Sequence, residues 1–152
     1  LEAARWAPSS GNNQPWRLAW IDRTDPRFGE FVEKALMPGN AVWAKNSSAL
    51  AVVICQTESD GNVLDRSRYS TGMAASQLVM QVQYLGLFSH QMSGIHVDEI
   101  QKFLGLNEHH EVQAVIAIGE MAAADSLPDE LATRERAERS RKDMEEIVLY
   151  GL

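Results

Sequence analysis

Short apolar runs alternate with polar or glycine-rich breaks along the chain, and the spacing within each run predicts an alternation of helices and strands. Apolar residues recurring at helical spacing predict helices over 1–6, 26–37, 63–85 and 95–104, and a charged, solvated helix over 129–146. Continuous or alternating apolar residues predict strands over 16–21, 49–56 and 111–118, with an extended segment over 88–94. Because residues 49–55 are apolar and rich in β-branched side chains, we expect the strand at 49–56 to be buried on both faces.

The segment 8–17, between the first helix and the first strand, combines two prolines with serines, a glycine and side-chain amides. Such residues favour turns, and they bring many hydrogen-bond donors and acceptors into a short stretch. The residues alone allow two interpretations, a hydrogen-bonded connection or a binding loop. The first needs no ligand and is the simpler one.

The longest helical pattern ends at Gly86, which we expect to cap the helix. Small residues at 72 and 74–76 would allow another helix to approach it closely. After the helix, Gly94 stands where the backbone must bend or approach a neighbour, although a plain turn explains it equally well. Gly105 is predicted to stop the following helix, and Gly119 ends the last long apolar strand.

Composition then limits the class of protein. The chain has 152 residues, 45% of them hydrophobic and 23% charged, which is typical of one globular domain. The net charge of −7 argues against a nucleic-acid surface. Cys55 is the one cysteine and lies in an apolar run, so we expect a buried thiol. No apolar stretch is long enough for a bilayer and no leader pattern is present, so we expect no membrane association and a cytoplasmic location.

Several kinds of catalytic site are not indicated by the sequence. It contains no GxGxxG, P-loop, GxSxG or HExxH pattern, and no nucleophile stands in a motif with its base. His109 and His110 are adjacent on one connection, and neighbours on a loop seldom converge on one ion. We therefore predict neither a metal site nor a catalytic side chain.

The run APSSGNNQPWR at 7–17 resembles the early signature of the FMN-dependent nitroreductase family, in which PSS-x-N-x-Q-PW leads into the first strand. The helix at 72–81 with its LGL ending is similar to the family's central helix, which packs across a dimer interface in relatives. The residues at 138–151 are similar to the family's C-terminal pattern, where basic residues precede an extended segment, here 147–150.

This resemblance implies an α+β fold, with a central mixed, mostly antiparallel sheet flanked by helices and a C-terminal arm exchanged in a homodimer. It implies one domain over 1–152. The family also has an N-terminal helix with an Arg-x-Ser motif that helps to hold the FMN phosphate, and the sequence starts after that point. We therefore expect a chain truncated at its N-terminus.

The resemblance also implies which residues border the flavin. The 8–14 loop would border the flavin that the partner subunit mainly holds, Asn40 would contact the ribityl or pyrimidine side, and Ser93 and Gly94 would offer main-chain N–H groups to the N5 and O4 edge. Gly119 would lie near the phosphate, which Arg139 and Arg141 would reach, with Lys142 in reserve. The implied cofactor-binding set is Pro8, Ser9, Ser10, Asn12, Gln14, Asn40, Ser93, Gly94, Gly119, Arg139 and Arg141.

The implied activity is hydride transfer from NAD(P)H through FMN to nitroaromatic, quinone or related small-molecule acceptors by a ping-pong mechanism, with the flavin supplying the chemistry. Dehalogenation and flavin destruction occur on the same superfold, so the acceptor does not follow from the fold. Two alternatives stay open at this point. One is a flavin-binding or structural dimer without turnover, and the other is an incomplete site that retains no flavin.

Overall fold

The computed structural model describes residues 1–151, which form two compact units that divide after Met121. The helices of the first unit are α1 (Glu2–Arg5), α2 (Phe28–Ala35), α3 (Pro38–Ala44), α4 (Ser67–Tyr84) and α5 (Val97–Leu104), with a 3₁₀ turn at Ser10–Asn12. Its strands are β1 (Trp16–Asp22), β2 (Ala49–Gln56), β3 (Glu58–Ser59), β4 (Asn62–Val63), β5 (Phe88–Met92) and β6 (His110–Gly119). The prediction of one domain over 1–152 stays a prediction.

A four-stranded sheet of order β1-β2-β6-β5 forms the centre of the first unit, and each neighbouring pair in it is antiparallel. Strand β2 lies in the interior and is buried along nearly its whole length, as its unbroken apolar run predicts. Pairings such as Trp16 with Cys55 and Met92 with Val115 fix the register of the outer strands. Strands β1 and β5 are therefore the two edges of the sheet.

Helices cover both faces of this sheet. Helices α2, α3 and α5 pack on one face, around Phe31, Leu36 and Ile100, and α1 and α4 pack on the other, around Ala4, Ala74 and Leu78. This arrangement confirms the predicted α+β class with an antiparallel sheet flanked by helices. The predicted exchange of a C-terminal arm stays a prediction.

Two predicted boundaries in the first unit were wrong. No helix was predicted between 37 and the strand at 49, but Pro38 begins α3, because a proline fits the first helical position without losing a hydrogen bond. The long helix α4 begins at Ser67 rather than near 63, because Asn62 and Val63 pair with the preceding strand in a small hairpin.

The second unit begins at Ala122 and contains a 3₁₀ turn (Ala124–Ser126), α6 (Asp129–Arg136) and α7 (Met144–Ile147). The predicted helix over 129–146 was wrong, since the chain leaves helical geometry at Ala137. Helix α6 buries only Ala132, so little tertiary packing supports a longer helix. Ile147 ends α7, so the extended segment implied over 147–150 starts no earlier than Val148, which has an extended conformation; its pairing with a partner subunit stays a prediction.

In the part of the chain that the structure describes, no helix is both long enough and apolar enough to cross a bilayer.

Candidate functional site

The loop between α1 and β1 adopts a tight conformation with three residues in the left-handed region. Gly11, Asn12 and Gln14 have φ values of 56°, 58° and 48°. Within the loop, the Gln14 N–H donates to Ser9 Oγ at 2.9 Å, and Gln14 Nε2 donates to the Asn12 carbonyl oxygen and to Asn12 Oδ1, both at 3.2 Å. The interpretation as a hydrogen-bonded connection is therefore correct as far as it goes.

The same loop still presents groups to a ligand. The hydroxyl of Ser10 and the Nδ2 group of Asn12 donate to no atom of residues 1–151, and both residues are exposed. Pro8 is exposed at the start of the loop, whereas Pro15 is buried at its end. The loop is thus fixed at its base and polar at its tip.

Arg17 anchors this loop, a role that the sequence did not suggest although Arg17 ends the motif. Its Nη1 donates to the carbonyl oxygens of Gln14 at 2.9 Å and Trp16 at 2.7 Å, and its Nη2 donates to Gln56 Oε1. Gln56 in turn donates its backbone N–H to the Pro15 carbonyl at 2.8 Å. A guanidinium directly after a turn motif is the signal that could have predicted this contact.

Asn40 and Gly94, both implied by the resemblance, lie in direct contact on the other face of the sheet. Asn40 Nδ2, in α3, donates to the Gly94 carbonyl oxygen at 2.9 Å, and the Met37 N–H donates to the same oxygen at 3.1 Å. A Cβ atom at position 94 would lie 2.7 Å from Asn40 Nδ2. A side chain at position 94 would therefore displace the Asn40 amide from this contact.

The main-chain N–H groups of Ser93 and Gly94 form no hydrogen bond within residues 1–151. The chain turns away from β6 after Met92, and Ile95 forms an isolated bridge with Leu36, so residues 93 and 94 lie between two paired segments. Ser93 is exposed and Gly94 is half-buried. Two adjacent N–H donors are thus available beside the amide of Asn40.

Trp43 lies one turn after Asn40 on α3 and packs edge-on against His90 of β5. Their ring centroids are 4.9 Å apart at an angle of 68°. Trp43 also packs against the core cluster on this face. This contact fixes α3 against the sheet edge that precedes Ser93.

Gly119 is the last residue of β6, where it pairs with Phe88, and it lies against the segment that enters β2. A Cβ atom there would be 3.3 Å from the Ser48 nitrogen, which itself donates to the Ile118 carbonyl at 2.8 Å. Strand β6 starts beside the end of β2 that the loop contacts, so Gly119 lies at the opposite end of the sheet from the loop.

Arg139 and Arg141 belong to the second unit, in the non-helical stretch between α6 and α7, and both are exposed. The Arg141 Nη1 donates to the Ser140 carbonyl at 2.7 Å, and Lys142 lies 3.3 Å from Glu146. Their role towards a phosphate stays a prediction.

The structure therefore brings the predicted residues together in separate groups. Asn40 contacts Gly94 beside β5, while Ser9, Asn12 and Gln14 contact one another beside β1. The two groups flank opposite edges of the four-stranded sheet, which at about 4.8 Å per strand are about 14 Å apart. They also belong to opposite faces, since the loop joins the α1 and α4 side and Gly94 joins the α2 and α3 side.

Two carboxyl groups with lowered pKa values, Glu2 and Glu111, do not belong to the implied cofactor-binding set. The Arg5 guanidinium and the Trp6 indole N–H lower the pKa of exposed Glu2 to about 2. The Arg68 guanidinium, which contacts Glu111 at 2.7 Å, also holds the pKa of that carboxyl below its usual range. Among residues 1–151, no group of three or more His, Cys, Asp or Glu side chains is placed to hold a metal ion, and Cys55 is fully buried as predicted.

Comparisons with known proteins place this geometry in a family. The model of the nitroreductase family matches residues 1–120. A solved oxidoreductase containing FMN is 35% identical and superposes with a TM-score of 0.92 over 99% of this chain and 78% of its own. A Desulfovibrio desulfuricans protein solved in complex with FMN is 22% identical, with a TM-score of 0.73 over 100% of this chain and 81% of its own, and supports the fold.

A Mycolicibacterium smegmatis protein described as an uncharacterized 15.4 kDa protein in ask 5'region is 27% identical over 116 residues, which are 76% of this chain and 78% of that protein. The family match covers most of the first unit, including the loop, Asn40, Gly94 and Gly119. The chain therefore belongs to the nitroreductase family.

Proposed function

We propose that this protein is an FMN-dependent oxidoreductase that transfers hydride from NAD(P)H to a nitroaromatic, quinone or related acceptor, with donor and acceptor using one pocket in turn. Membership of the nitroreductase family and the 35% identical oxidoreductase containing FMN support the cofactor and the reaction class. FMN, when bound, supplies the redox chemistry, and the protein supplies position and electrostatics.

The observation that carries this proposal is the pair of free N–H groups at Ser93 and Gly94 beside the amide of Asn40. A flavin ring presents carbonyl oxygens and ring nitrogens that accept hydrogen bonds, so this donor set fits its polar edge. Fixed main-chain dipoles stabilise negative charge that develops on a bound ring without having to reorganise. The loop adds the Ser10 hydroxyl and the Asn12 amide as further donors.

The phosphate end of FMN needs cations, and we assign Arg139 and Arg141 to it, with Lys142 in reserve. A guanidinium forms two parallel hydrogen bonds with a phosphate, which makes arginine well suited to this contact. Arg139→Ala and Arg141→Ala should each weaken FMN binding, whereas Arg134→Ala in the charged helix α6 serves as a matched control. Unchanged affinity in both variants would remove these residues from the site.

The site requires a homodimer. Helix α4 and its C-terminal neighbour expose large apolar side chains, with Tyr69, Met80, Tyr84 and Leu85 between 66% and 85% accessible. Exposed apolar surface of this kind is typical of an interface between protein chains. Since the loop and the Asn40 group flank opposite edges of one sheet, each site combines the loop of one subunit with Asn40 and Gly94 of the other. The C-terminal arm, with Leu149 and Tyr150 more than 90% exposed, packs on the partner.

The first experiment is the visible spectrum of the purified protein after incubation with FMN and desalting. Retained absorption bands at about 370 and about 450 nm are expected of a bound oxidised flavin. Oxidation of NADH and NADPH is then followed with a nitroaromatic and with a quinone. Retained flavin without turnover would reduce the function to flavin binding, and a colourless protein would contradict the proposal.

Subunit mixing tests the shared site. Asn12→Ala impairs the loop and Asn40→Ala impairs the other half, so homodimers of either variant should bind FMN poorly. In a mixture refolded at equal concentrations, about half of the dimers contain both variants, and each of these has one intact site, so about a quarter of the sites recover. Recovery no greater than in the separate variants would show that one chain supplies both halves.

A further inference from the structure

The loop at Ser9–Gln14 is held by a brace outside itself, which consists of the side chains of Arg17 and Gln56. The left-handed conformations of Asn12 and Gln14, with φ of 58° and 48°, are unfavourable for residues with a Cβ atom. Surrounding contacts must compensate for that cost if the loop is to keep one shape.

Contacts inside the loop satisfy three of its backbone N–H groups and leave the Gln14 carbonyl for Arg17. The N–H groups of Asn12, Asn13 and Gln14 all donate within the loop, to Ser9 O at 3.1 Å, Ser10 O at 3.0 Å and Ser9 Oγ at 2.9 Å. The Gln14 carbonyl instead accepts from Arg17 Nη1 at 2.9 Å. The residue with an unfavourable φ is thus tied on its carbonyl side to the first residues of β1.

Gln56 fixes the Arg17 side chain in turn. It accepts from Arg17 Nη2 through Oε1, donates through Nε2 to the Glu58 carbonyl at 2.7 Å, and donates through its backbone N–H to the Pro15 carbonyl at 2.8 Å. Gln56 is the last residue of the interior strand β2, which pairs with a strand on each side and is buried along nearly its whole length. Hydrogen bonds therefore join the loop carbonyls to the core of the protein.

We propose that Arg17, held by Gln56, is a positioning residue that fixes the Ser9–Gln14 loop in its left-handed shape and thereby sets the affinity of the cofactor site. This inference rests on the proposed function for its cofactor, and on the hydrogen bonds alone for the brace. A pre-ordered loop binds more tightly because the ligand does not have to order it.

Hydrogen exchange of the loop amides in the FMN-free full chain tests the brace directly. Arg17→Ala should speed exchange at Asn12, Asn13 and Gln14 by roughly tenfold, as expected for the loss of hydrogen bonds from a charged donor. Arg17→Lys should restore part of the protection from exchange. The lysine ammonium group can donate to a carbonyl oxygen but lacks the planar set of donors of the arginine guanidinium. Gln56→Ala should act in the same direction as Arg17→Ala and add little to it in the double variant.

A matched control is Arg23→Ala, since Arg23 also donates to a backbone carbonyl, that of Asn46 at 3.0 Å, but just after the far end of β1. It should leave loop exchange unchanged. FMN affinity is then measured by quenching of flavin fluorescence, at a temperature where thermal unfolding shows each variant to be folded. Arg17→Ala should weaken binding by roughly tenfold, with partial rescue by Arg17→Lys.

The outcomes separate the two claims. Unchanged loop exchange in Arg17→Ala would overturn the brace. Faster exchange with wild-type FMN affinity would overturn the positioning role, as would an equal loss of affinity in Arg23→Ala. A wild-type protein that binds no FMN would overturn the proposed function and the cofactor half of this inference, while the exchange result would still decide the brace.

Discussion

The contact between Gly94 and Asn40 leads to a quantitative prediction for Gly94→Ala. The added Cβ would lie 2.7 Å from Asn40 Nδ2, which is too close for non-bonded atoms, and 3.8 Å from Met37 Sδ, which is ordinary contact. The amide of Asn40 is the end of a flexible side chain and can rotate away. That rotation breaks its hydrogen bond to the Gly94 carbonyl, at a cost of about 1 kcal/mol.

In the single variant Gly94→Ala, a stabilising effect on the free energy of unfolding offsets the loss of this hydrogen bond. Replacing glycine by alanine where φ is not in the left-handed region stabilises a protein by about 0.4–1 kcal/mol, because the unfolded chain has less freedom. Gly94→Ala alone should therefore change the free energy of unfolding little. Asn40→Ala should cost about 1 kcal/mol or less, since the Gly94 carbonyl still accepts from the Met37 N–H.

The double variant, Gly94→Ala with Asn40→Ala, tests the contact between these two residues. Without the Asn40 amide, the Cβ at position 94 has no close neighbour, so Gly94→Ala should stabilise the Asn40→Ala protein by about 0.4–1 kcal/mol. The coupling energy between the two positions is then about 1 kcal/mol. Urea unfolding of the FMN-free protein, followed by circular dichroism at one fixed chain concentration, measures all four proteins.

A matched control is Gly29→Ala in α2, where an added Cβ would meet nothing within 4 Å. It should stabilise the wild-type protein and the Asn40→Ala protein equally. If Gly94→Ala and Asn40→Ala were additive within about 0.3 kcal/mol, as distant sites are, the close approach of α3 to the 93–94 segment would be refuted.

Three further predictions follow from contacts elsewhere in the first unit. Gly119→Ala should cost about 1 kcal/mol in urea unfolding, since its Cβ would lie 3.3 Å from the Ser48 nitrogen, a backbone atom that cannot rotate away; an unchanged midpoint would contradict this. Thr71→Val should stabilise by roughly 1 kcal/mol, because the buried Thr71 hydroxyl has no partner within residues 1–151; destabilisation would mean that it has one. The pKa of the Glu111 carboxyl, lowered by Arg68, should rise in Arg68→Met as measured by NMR; the stability that this pair contributes exists above the ordinary carboxyl pKa and is lost as pH falls, so the variant should lose less stability on acidification.

Much of the sheet could be predicted from the sequence because local patterns dictate it. The apolar run at 49–55, rich in β-branched residues, favours an interior strand, and β2 has the predicted bounds 49–56. Gly105 ends α5 in a left-handed conformation with φ of 64°, as a glycine after a helical pattern should. In these segments the local preference and the tertiary environment agree.

Two features of the site could not be predicted from local sequence patterns, for different reasons. Helix α3 begins with Pro38 and Gly39, residues that also mark breaks, so one sequence is compatible with both a turn and a helix start. The hydrogen bond between Asn40 and Gly94 joins residues 54 positions apart, and no periodicity predicts such a pair. The resemblance identified the two residues separately, while the contact between them required the structure.

At residues 129–146, the charge pattern led to a wrong prediction of one continuous helix. Mixed charges over 129–146 are compatible with a helix, but charge pairs add only about 0.2–0.5 kcal/mol each and do not by themselves hold a helix together. Helix α6 ends at Arg136, four residues after its one buried residue, Ala132. Where no apolar face is buried, only the intrinsic helix propensity of the residues supports the helix, and the helix stays short.

The arrangement of the two polar groups supports the proposed homodimer. A loop beside β1 and an Asn40–Gly94 contact beside β5 are about 14 Å apart across the sheet and lie on opposite faces, so one bound molecule cannot easily touch both on one subunit. In the proposed homodimer, two-fold symmetry would remove the difficulty, because it would bring the β1 side of one subunit to the β5 side of the other and generate two equal sites. The exposed apolar side chains of α4 provide the surface on which such a pair would meet. Cofactor affinity and dimerisation should therefore be linked, so that a substitution such as Tyr84→Glu on α4, which belongs to neither polar group, weakens both.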